Sequence, residues 1–445
     1  MTSFALPFVT GARIALIGMG KTNFGILDVL RQRDDLRLSL RDKGTICFHE
    51  GLTADARVRV YSGEGYLDEL TEDYLFLSPT VRVDAEPIQK ARLRGAKIFS
   101  DVSFFLGYTK SVCFGVTGSD GKSTTVSLSD ALLCENGEKS RVGGNIGRVL
   151  MPYLFSEVAG DFTVLELSSF QLQCKPERVK RGLITNLTPN HLDFHSSLEE
   201  YYNAKLSLLY ASEEPVLNTD DGEIVRRASH LSPFVSYSMC ERVLVRAEHE
   251  YTVRDDVIYQ DGLPYLSLRE FASRGRTFQK NIVASLALCH GHHTRESALR
   301  AIRAFRPLAH RRELVREANG VSYYNCSADS TPSRTIETLS TFSSPVVLIA
   351  GGRSKGVDYG ILVLAIRKTV RYVILYGENA EEIRGAISSV DMPCVRVASL
   401  SEAVKLAKEV ATEGDAVVFS PASTSFDQYQ NFEMRGASFS SLVNQ

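Results

Sequence analysis

An apolar run, a glycine-rich loop and a segment of helical spacing follow one another without interruption between Val112 and Cys134. Parallel α/β domains are built from that succession, and their ligands lie at the carboxyl ends of the strands. The loop reads Gly115-Val-Thr-Gly-Ser-Asp-Gly-Lys-Ser-Thr-Thr125. Its glycines let the backbone turn tightly enough for N–H groups to point inward, and the helix that follows adds partial positive charge where phosphate oxygens would lie. Gly118, Ser119, Asp120, Gly121 and Thr124 would form the cradle. Lys122 would reach terminal phosphates, and Ser123 would ligate Mg2+. The spacing departs from the common phosphate loop, because the position five before Gly121 is Val116 rather than glycine. A coincidental Gly-Lys-Ser turn is the plainer reading, and the flanking strand and helix argue against it.

The same pattern recurs along the chain. Apolar runs ending in Gly, Ser, Thr or Asn occur at Arg13–Gly18, Tyr74–Ser78, Phe162–Ser168 and Leu183–Asn186, and a later group follows at Val346–Gly351, Tyr372–Gly377 and Ala416–Ser420. Such runs predict buried parallel strands. With 445 residues and roughly 100–200 residues per domain, the expected organisation is three α/β domains over residues 1–106, 107–306 and 307–445. Residues 220–270 are less regular, with turn signals at Asp220–Gly222 and Asp261–Gly262, and predict smaller β elements.

Composition narrows the class. A formal charge of -2, from 51 basic and 53 acidic side chains, offers no broad attraction for a polyanion, so nucleic-acid binding is not expected. Eight cysteines without a CxxC pair indicate neither a disulfide framework nor a zinc ribbon, which suits a reducing cytoplasm. Residues 1–16 lack a signal-peptide pattern, and no apolar stretch is long enough to span a bilayer. The cluster Cys289-His-Gly-His-His293 is neither spaced nor partnered like a structural zinc site and reads as a helix-end cluster.

A second charged element is expected near the loop, because Mg2+ takes carboxylates along with phosphate oxygens. Glu166 ends the apolar strand of Val164-Leu-Glu-Leu-Ser-Ser-Phe-Gln-Leu172. There a carboxylate must be paired, protonated or metal-bound, and a salt-bridged strand end is the bland alternative. His191 and Asp193, after another strand end, are further candidates for a metal site.

Taken in order, these segments resemble the Mur ligases, a family that also includes folylpolyglutamate synthases. Thr117-Gly-Ser-Asp-Gly-Lys-Ser-Thr124 is similar to the family's T-G-(T/S)-N-G-K-(S/T)-T, with Asp120 in place of the usual asparagine. The resemblance implies a Rossmann-like N-terminal domain that binds UDP, a central ATPase domain with a parallel sheet, and a C-terminal Rossmann-like domain that binds an amino acid. It places Mg2+ ligands at Glu166 and His191. It also implies that Lys205, which alone would read as an exposed helix lysine, is carbamylated into a carboxylate-like metal ligand. Asn281 would contact the nucleotide, and Arg311, in His310-Arg-Arg-Glu313, would touch ATP phosphates.

Within the family, Leu165–Leu172 and the tail Phe419-Ser-Pro-Ala-Ser-Thr-Ser-Phe-Asp-Gln-Tyr-Gln-Asn-Phe-Glu-Met-Arg-Gly436 resemble the member that adds D-glutamate to UDP-N-acetylmuramoyl-L-alanine through an acyl phosphate. That resemblance makes Ser330, Lys355, Ser425 and Phe432 candidate D-glutamate contacts, although Phe432 also reads as core packing. Gly18, Gly20, Thr22 and Ser78 would bind the UDP moiety, and Asn145 the muramoyl substrate. A monomer is expected. The chain departs from the family at Asn325-Cys-Ser-Ala-Asp-Ser330, where Cys326 stands in place of an aspartate and Asp329 is the candidate substitute carboxylate near ATP. Ser330 keeps the hydroxyl of the expected threonine. Two other readings remain: another amide ligase of the same family, including the folate type, and a chain that binds nucleotide or muramoyl peptide without catalysis.

Overall fold

In the computed structural model, residues 5–46, 55–189, 194–306, 309–342, 344–354 and 356–445 are described. They form three sheets with helices between the strands, a mixed α/β architecture in which parallel pairing dominates. One compact unit is built on the first two sheets, and the other on the third sheet together with residues 270–279.

The first sheet comprises β1 (Arg13–Ile17), β2 (Arg37–Asp42), β3 (Val58–Ser62), β4 (Tyr74–Leu77) and β5 (Lys97–Phe99), in the order β3-β2-β1-β4-β5 and parallel throughout. The chain winds outward from β1 in one direction and resumes on its other side at β4. This reversal leaves a crevice beyond the carboxyl ends of those two strands. The alternation in Arg37-Leu-Ser-Leu-Arg-Asp42 hid β2 from an apolar-run reading, since Arg41 is buried and is held there by Glu72 at 2.9 Å and by the carbonyls of Tyr66 and Asp68, each at 3.0 Å.

The second sheet contains β6 (Val112–Thr117), β7 (Ser140–Gly144), β8 (Phe162–Glu166), β9 (Val179–Ile184), β10 (Ser212–Asn218), β11 (Val235–Tyr237), β12 (His249–Arg254), β13 (Val257–Gln260) and β14 (Leu263–Ser267). Their order is β14-β13-β12-β11-β10-β9-β6-β8-β7. The strand expected from Leu183 begins earlier, at Val179, because its first half carries Arg181. That buried guanidinium is held by Glu214 at 2.8 Å and by the carbonyls of Leu288 and His290. The turn signals of residues 220–270 are also accounted for. Asp221 caps the helix Gly222–Ala228, and Asp261 and Gly262, with φ of 49° and 79°, turn β13 into β14.

One apolar core joins these two sheets. Phe8, Phe76 and Phe104 pack with Leu16, Leu150, Met151 and Leu165, each large side chain contributing about 1.5–3 kcal/mol by leaving water. Between the sheets runs the helix Asp101–Tyr108, closed at its start by a Ser100–Ser103 capping box. The Asp101 carboxylate accepts hydrogen bonds from the Leu150 and Met151 N–H groups at 2.7 and 3.1 Å, and burial raises its pKa to about 6.

The third sheet holds β15 (Glu313–Ala318), β16 (Val321–Asn325), β17 (Val346–Gly351), β18 (Val370–Tyr376), β19 (Cys394–Arg396) and β20 (Ala416–Phe419), in the order β15-β16-β20-β17-β18-β19. Only β15 runs antiparallel to its neighbour. Because β20 returns between β16 and β17, the loops after these three strands meet. No helix among the described residues is long and apolar enough to cross a membrane.

Candidate active site

The glycine loop leaves β6 between β8 and β9, so its neighbours are the ends of those two strands. Gly121 has φ of 79° and caps the helix Lys122–Glu135. A Cβ there would also lie 2.7 Å from Asn281 Oδ1, so both backbone and space require glycine. The loop is clamped from β9. Ser119 N–H donates to the Asn186 carbonyl and Asp120 N–H to Asn186 Oδ1, each at 3.0 Å. Thr185 Oγ1 donates to the Asp120 carbonyl at 2.5 Å. Ser119 Oγ sits 2.8 Å from the Thr188 carbonyl and 3.0 Å from Tyr201 Oη. Lys122 Nζ donates to the carbonyls of Gly118 and Ser119, both at 2.8 Å. Ser123 is buried at the helix start, Thr124 is half-buried, and Asn281 Oδ1 lies 3.4 Å from Thr125 Oγ1.

Two further charged groups point to the same strand ends. Among the described residues Glu166 has no salt-bridge partner, unlike the salt-bridged strand end of the bland reading. Its Oε1 accepts from Asn145 Nδ2 at 2.7 Å, and its Oε2 is buried with no hydrogen-bond partner among the described residues. An orphaned, buried carboxylate oxygen suits a cation ligand. Lys205, on the helix Leu198–Tyr210, is buried rather than exposed as its sequence context alone suggests. Its Nζ donates to the Gly118 carbonyl at 2.8 Å and lies over the Tyr201 ring at 4.7 Å. Burial, and secondarily the charge of Lys122, holds its pKa well below the ordinary lysine value. The free amine is the form that reacts with carbon dioxide, so carbamylation is chemically open to this side chain. Tyr201, Thr185 and Asn186 were not singled out in the sequence, which carries no local mark of a clamp made across strands. His191 and Asp193 lie outside the described residues.

Beside β1, Gly18 meets the end of β4. A Cβ on Gly18, whose φ is 82°, would fall 2.6 Å from Ser78 Cβ. The buried Asn23 amide bonds the carbonyls of Ile17 and Gly18 at 3.0 and 2.9 Å and so fixes the turn. Gly20 caps the helix Lys21–Leu30, which contains Thr22. This turn and Ser78 therefore share the β1/β4 crevice, whereas Asn145 stands with Glu166 in the second sheet.

In the other unit, the loops after β16, β17 and β20 are bound to one another. Arg435 is fully buried and donates to Ser327 Oγ at 3.1 Å, the Ser327 carbonyl at 2.8 Å and the Ser423 carbonyl at 3.0 Å. Asn379 donates to Tyr359 Oη at 2.7 Å and Ser423 Oγ at 2.8 Å, and accepts from Gly352 N–H at 2.9 Å. Arg353 and Thr424 exchange backbone hydrogen bonds at 3.0 and 3.1 Å. Sequence reading passed over both Arg435 and Asn379, although Arg435 stands in the quoted tail. Ser330 is half-buried, Ser425 is buried, and Phe432 is half-buried at the start of the helix Phe432–Asn444. Lys355 lies outside the described residues. Arg311 lies between His310 and Arg312, whose φ values of 63° and 52° are both positive.

Cys326 is wholly buried in an apolar cluster with Leu348, Tyr359 and Val418. Burial first, and then the charge of Asp329, pushes its thiol pKa well up, so it is a packing group rather than a charged contact. Asp329 is also buried. Its Oδ2 accepts from Thr338 Oγ1 and Ser420 Oγ, each at 2.7 Å.

Family models for the Mur ligase middle domain and for the Mur ligase glutamate ligase domain match residues 116–289 and 310–423. The chain is 36% identical over 458 aligned positions to the UDP-N-acetylmuramoylalanine–D-glutamate ligase of Clostridium acetobutylicum, covering 99% of this chain and 98% of that one. It is 33% identical to the enzyme of the same name from Clostridium perfringens, covering 98% and 97%. Among solved structures, the UDP-N-acetylmuramate-alanine ligase of Thermotoga maritima superposes with a TM-score of 0.63 at 18% identity, over 97% of this chain and 99% of that one. The MurF ligase of the same organism, solved with ADP, gives 0.58 at 15% identity, over 98% and 96%. These two share the fold, and the near full-length identity to the curated relatives decides kinship: the chain belongs to the Mur ligase family.

Proposed function

We propose that this chain adds D-glutamate to UDP-N-acetylmuramoyl-L-alanine in an ATP-dependent reaction of peptidoglycan precursor synthesis. Kinship over nearly the whole chain with ligases of that name supports the reaction. The observation in this molecule that carries it is the meeting of Lys122, Glu166 Oε2 and Lys205 at the ends of β6 and β8. An ammonium, a carboxylate oxygen without a partner among the described residues and a buried amine whose pKa is held well below the ordinary lysine value surround the place where a nucleotide's terminal phosphate would sit.

In this reading, residues 1–106 bind the UDP moiety, residues 107–306 bind ATP, and residues 307–445 bind D-glutamate. The substrate carboxylate attacks the γ-phosphate and expels ADP to give an acyl phosphate, and the amine of D-glutamate then displaces inorganic phosphate and gives up a proton to form the amide. Lys122 and the N–H groups of the loop hold the transferred group as its charge develops. Glu166, Ser123 and carbamylated Lys205 would hold Mg2+, together with His191, and the ion would supply further neutralisation of phosphate charge. Asn145 orients Glu166 through one oxygen. Gly18, Gly20, Thr22 and Ser78 seat the uridine diphosphate. Asn281, Arg311 and Asp329 serve ATP, and Ser330, Lys355, Ser425 and Phe432 serve D-glutamate. We take the chain to act as a cytoplasmic monomer.

The deciding experiment is phosphate release from ATP with UDP-N-acetylmuramoyl-L-alanine and D-glutamate together and singly, set against other amino acids. Turnover that requires both substrates is expected, and Lys122→Ala should abolish it while leaving the thermal melt in place. A folded protein without turnover, or one that prefers another amino acid, would overturn the assignment.

A further inference from the structure

At the far edge of the second sheet, three ligand-type side chains from separate segments converge. His249 opens β12, Asp261 lies in the turn between β13 and β14, and His290 follows the helix Arg276–Leu288. One ligand atom from each lies within 4.8 Å of the other two. The two imidazoles stack with centroids 3.9 Å apart, and His249 Nδ1 lies 3.2 Å from Asp261 Oδ2. From these positions we infer a divalent transition-metal site formed by His249, Asp261 and His290, of the class that takes Zn2+, with one coordination position left for solvent.

The surroundings match what such ligands need. A metal-bound imidazole engages its second nitrogen elsewhere, and a ligating carboxylate is itself hydrogen-bonded. His290 Nδ1 is 3.1 Å from the hydroxyl of buried Tyr251, which leaves Nε2 for a cation. Asp261 Oδ1 accepts the Glu250 N–H at 2.8 Å, which leaves Oδ2. Phe234 stands edge-on to both imidazoles at 5.3 and 5.8 Å and forms an apolar wall. The Arg181 guanidinium anchors the His290 carbonyl, and Glu214 at 2.8 Å balances its charge. Two nitrogens and one oxygen select a borderline ion such as Zn2+ over Mg2+, which demands oxygen ligands. Tetrahedral bonds of about 2.0–2.1 Å require a closer triangle than the present one. Closing it takes rotation of the His249 ring out of its stack with His290 and exchange of the His249–Asp261 hydrogen bond for bonds to the ion, on side chains that are 30% and 40% exposed.

Four strand spacings separate β12 from β6, roughly 19 Å, so this site is distinct from the phosphate loop. It would fasten the β12–β14 edge to the segment after the helix. The cluster Cys289–His293 gave no such indication in sequence, because its partners lie about 30 and 40 positions upstream and spacing rules consider only local pairs.

The test uses the full chain, stripped with a chelator and kept in excess Mg2+ so that oxygen-rich sites are filled. Zn2+ is titrated against a chromophoric competitor, with thermal melts in parallel. The expected result is one equivalent bound with micromolar or tighter affinity and a raised melting temperature. His249→Ala and Asp261→Asn should each weaken binding at least tenfold and remove the zinc-dependent rise, while melting within a degree or two of the parent without metal. His249→Gln serves in place of the alanine variant if that one melts early. No binding up to about 100 μM, or binding unchanged in the variants, would overturn the site.

Discussion

Asn145 donates its side-chain amide to Glu166 Oε1 at 2.7 Å and its backbone N–H to the Glu166 carbonyl at 2.8 Å, while Glu166 Oε2 stays buried without a partner among the described residues. A carboxylate held in this way is oriented by one oxygen and left open at the other. In an interior strand that arrangement costs stability unless a cation completes it. Glu166→Gln keeps an acceptor for Asn145 and removes the charge. Phosphate release should fall about 100-fold or more, while the metal-free protein melts no lower than the parent. Near-normal turnover in this variant would remove Glu166 from the site.

Lys205 offers a pH test. Its folded pKa is depressed by burial, so as pH falls below the ordinary lysine value of about 10.4 the unfolded chain takes up the proton first. The uncarbamylated protein therefore loses stability over that window until the folded pKa is reached. In carbon-dioxide-free buffer, Lys205→Met should flatten this slope and melt above the parent at neutral pH. Parent activity should drop on removal of carbon dioxide and return with bicarbonate. An activity indifferent to bicarbonate would count against carbamylation.

Arg435 holds the loops after β16 and β20 together with three hydrogen bonds to Ser327 and Ser423. Lysine keeps the charge and loses the planar fork, so Arg435→Lys should cost about 1–3 kcal/mol in denaturant unfolding. Its KM for D-glutamate should rise more than its KM for ATP. Equal changes in both would leave Arg435 a purely structural residue.

Cys326 is packed and protonated. Native protein should resist alkylation at this thiol, and Cys326→Ala should turn over within a few-fold of the parent. Cys326→Asp, which restores the residue usual in the family, would place a second carboxylate near buried Asp329 and should destabilise by about 2 kcal/mol or more. Mass spectrometry after alkylation and a chemical melt check both outcomes.

The phosphate loop was legible because its information is local. Strand, glycines, Lys122 and helix occupy consecutive positions, and backbone geometry alone makes them a cradle. The strands β1, β4, β6, β8, β17, β18 and β20 were legible for a similar reason, since buried parallel strands are continuous apolar runs. Stretches whose burial depends on distant partners were not: β2, with Arg41, and the first half of β9, with Arg181, break the apolar pattern and are buried only once Glu72 and Glu214 are set beside them.

Kinship and chemistry, then, were written in the order of residues along the chain. Sheet order decided the rest, because electrostatic environment is a property of neighbours in space. The placement of β6 between β8 and β9 puts the Gly118 carbonyl against Lys205 and buries a side chain that its helix alone would have left in water. The return of β20 between β16 and β17 sets Ser420 against Asp329 and seals Cys326 in the core. Neither pairing has any trace in local spacing, since each joins residues more than eighty positions apart.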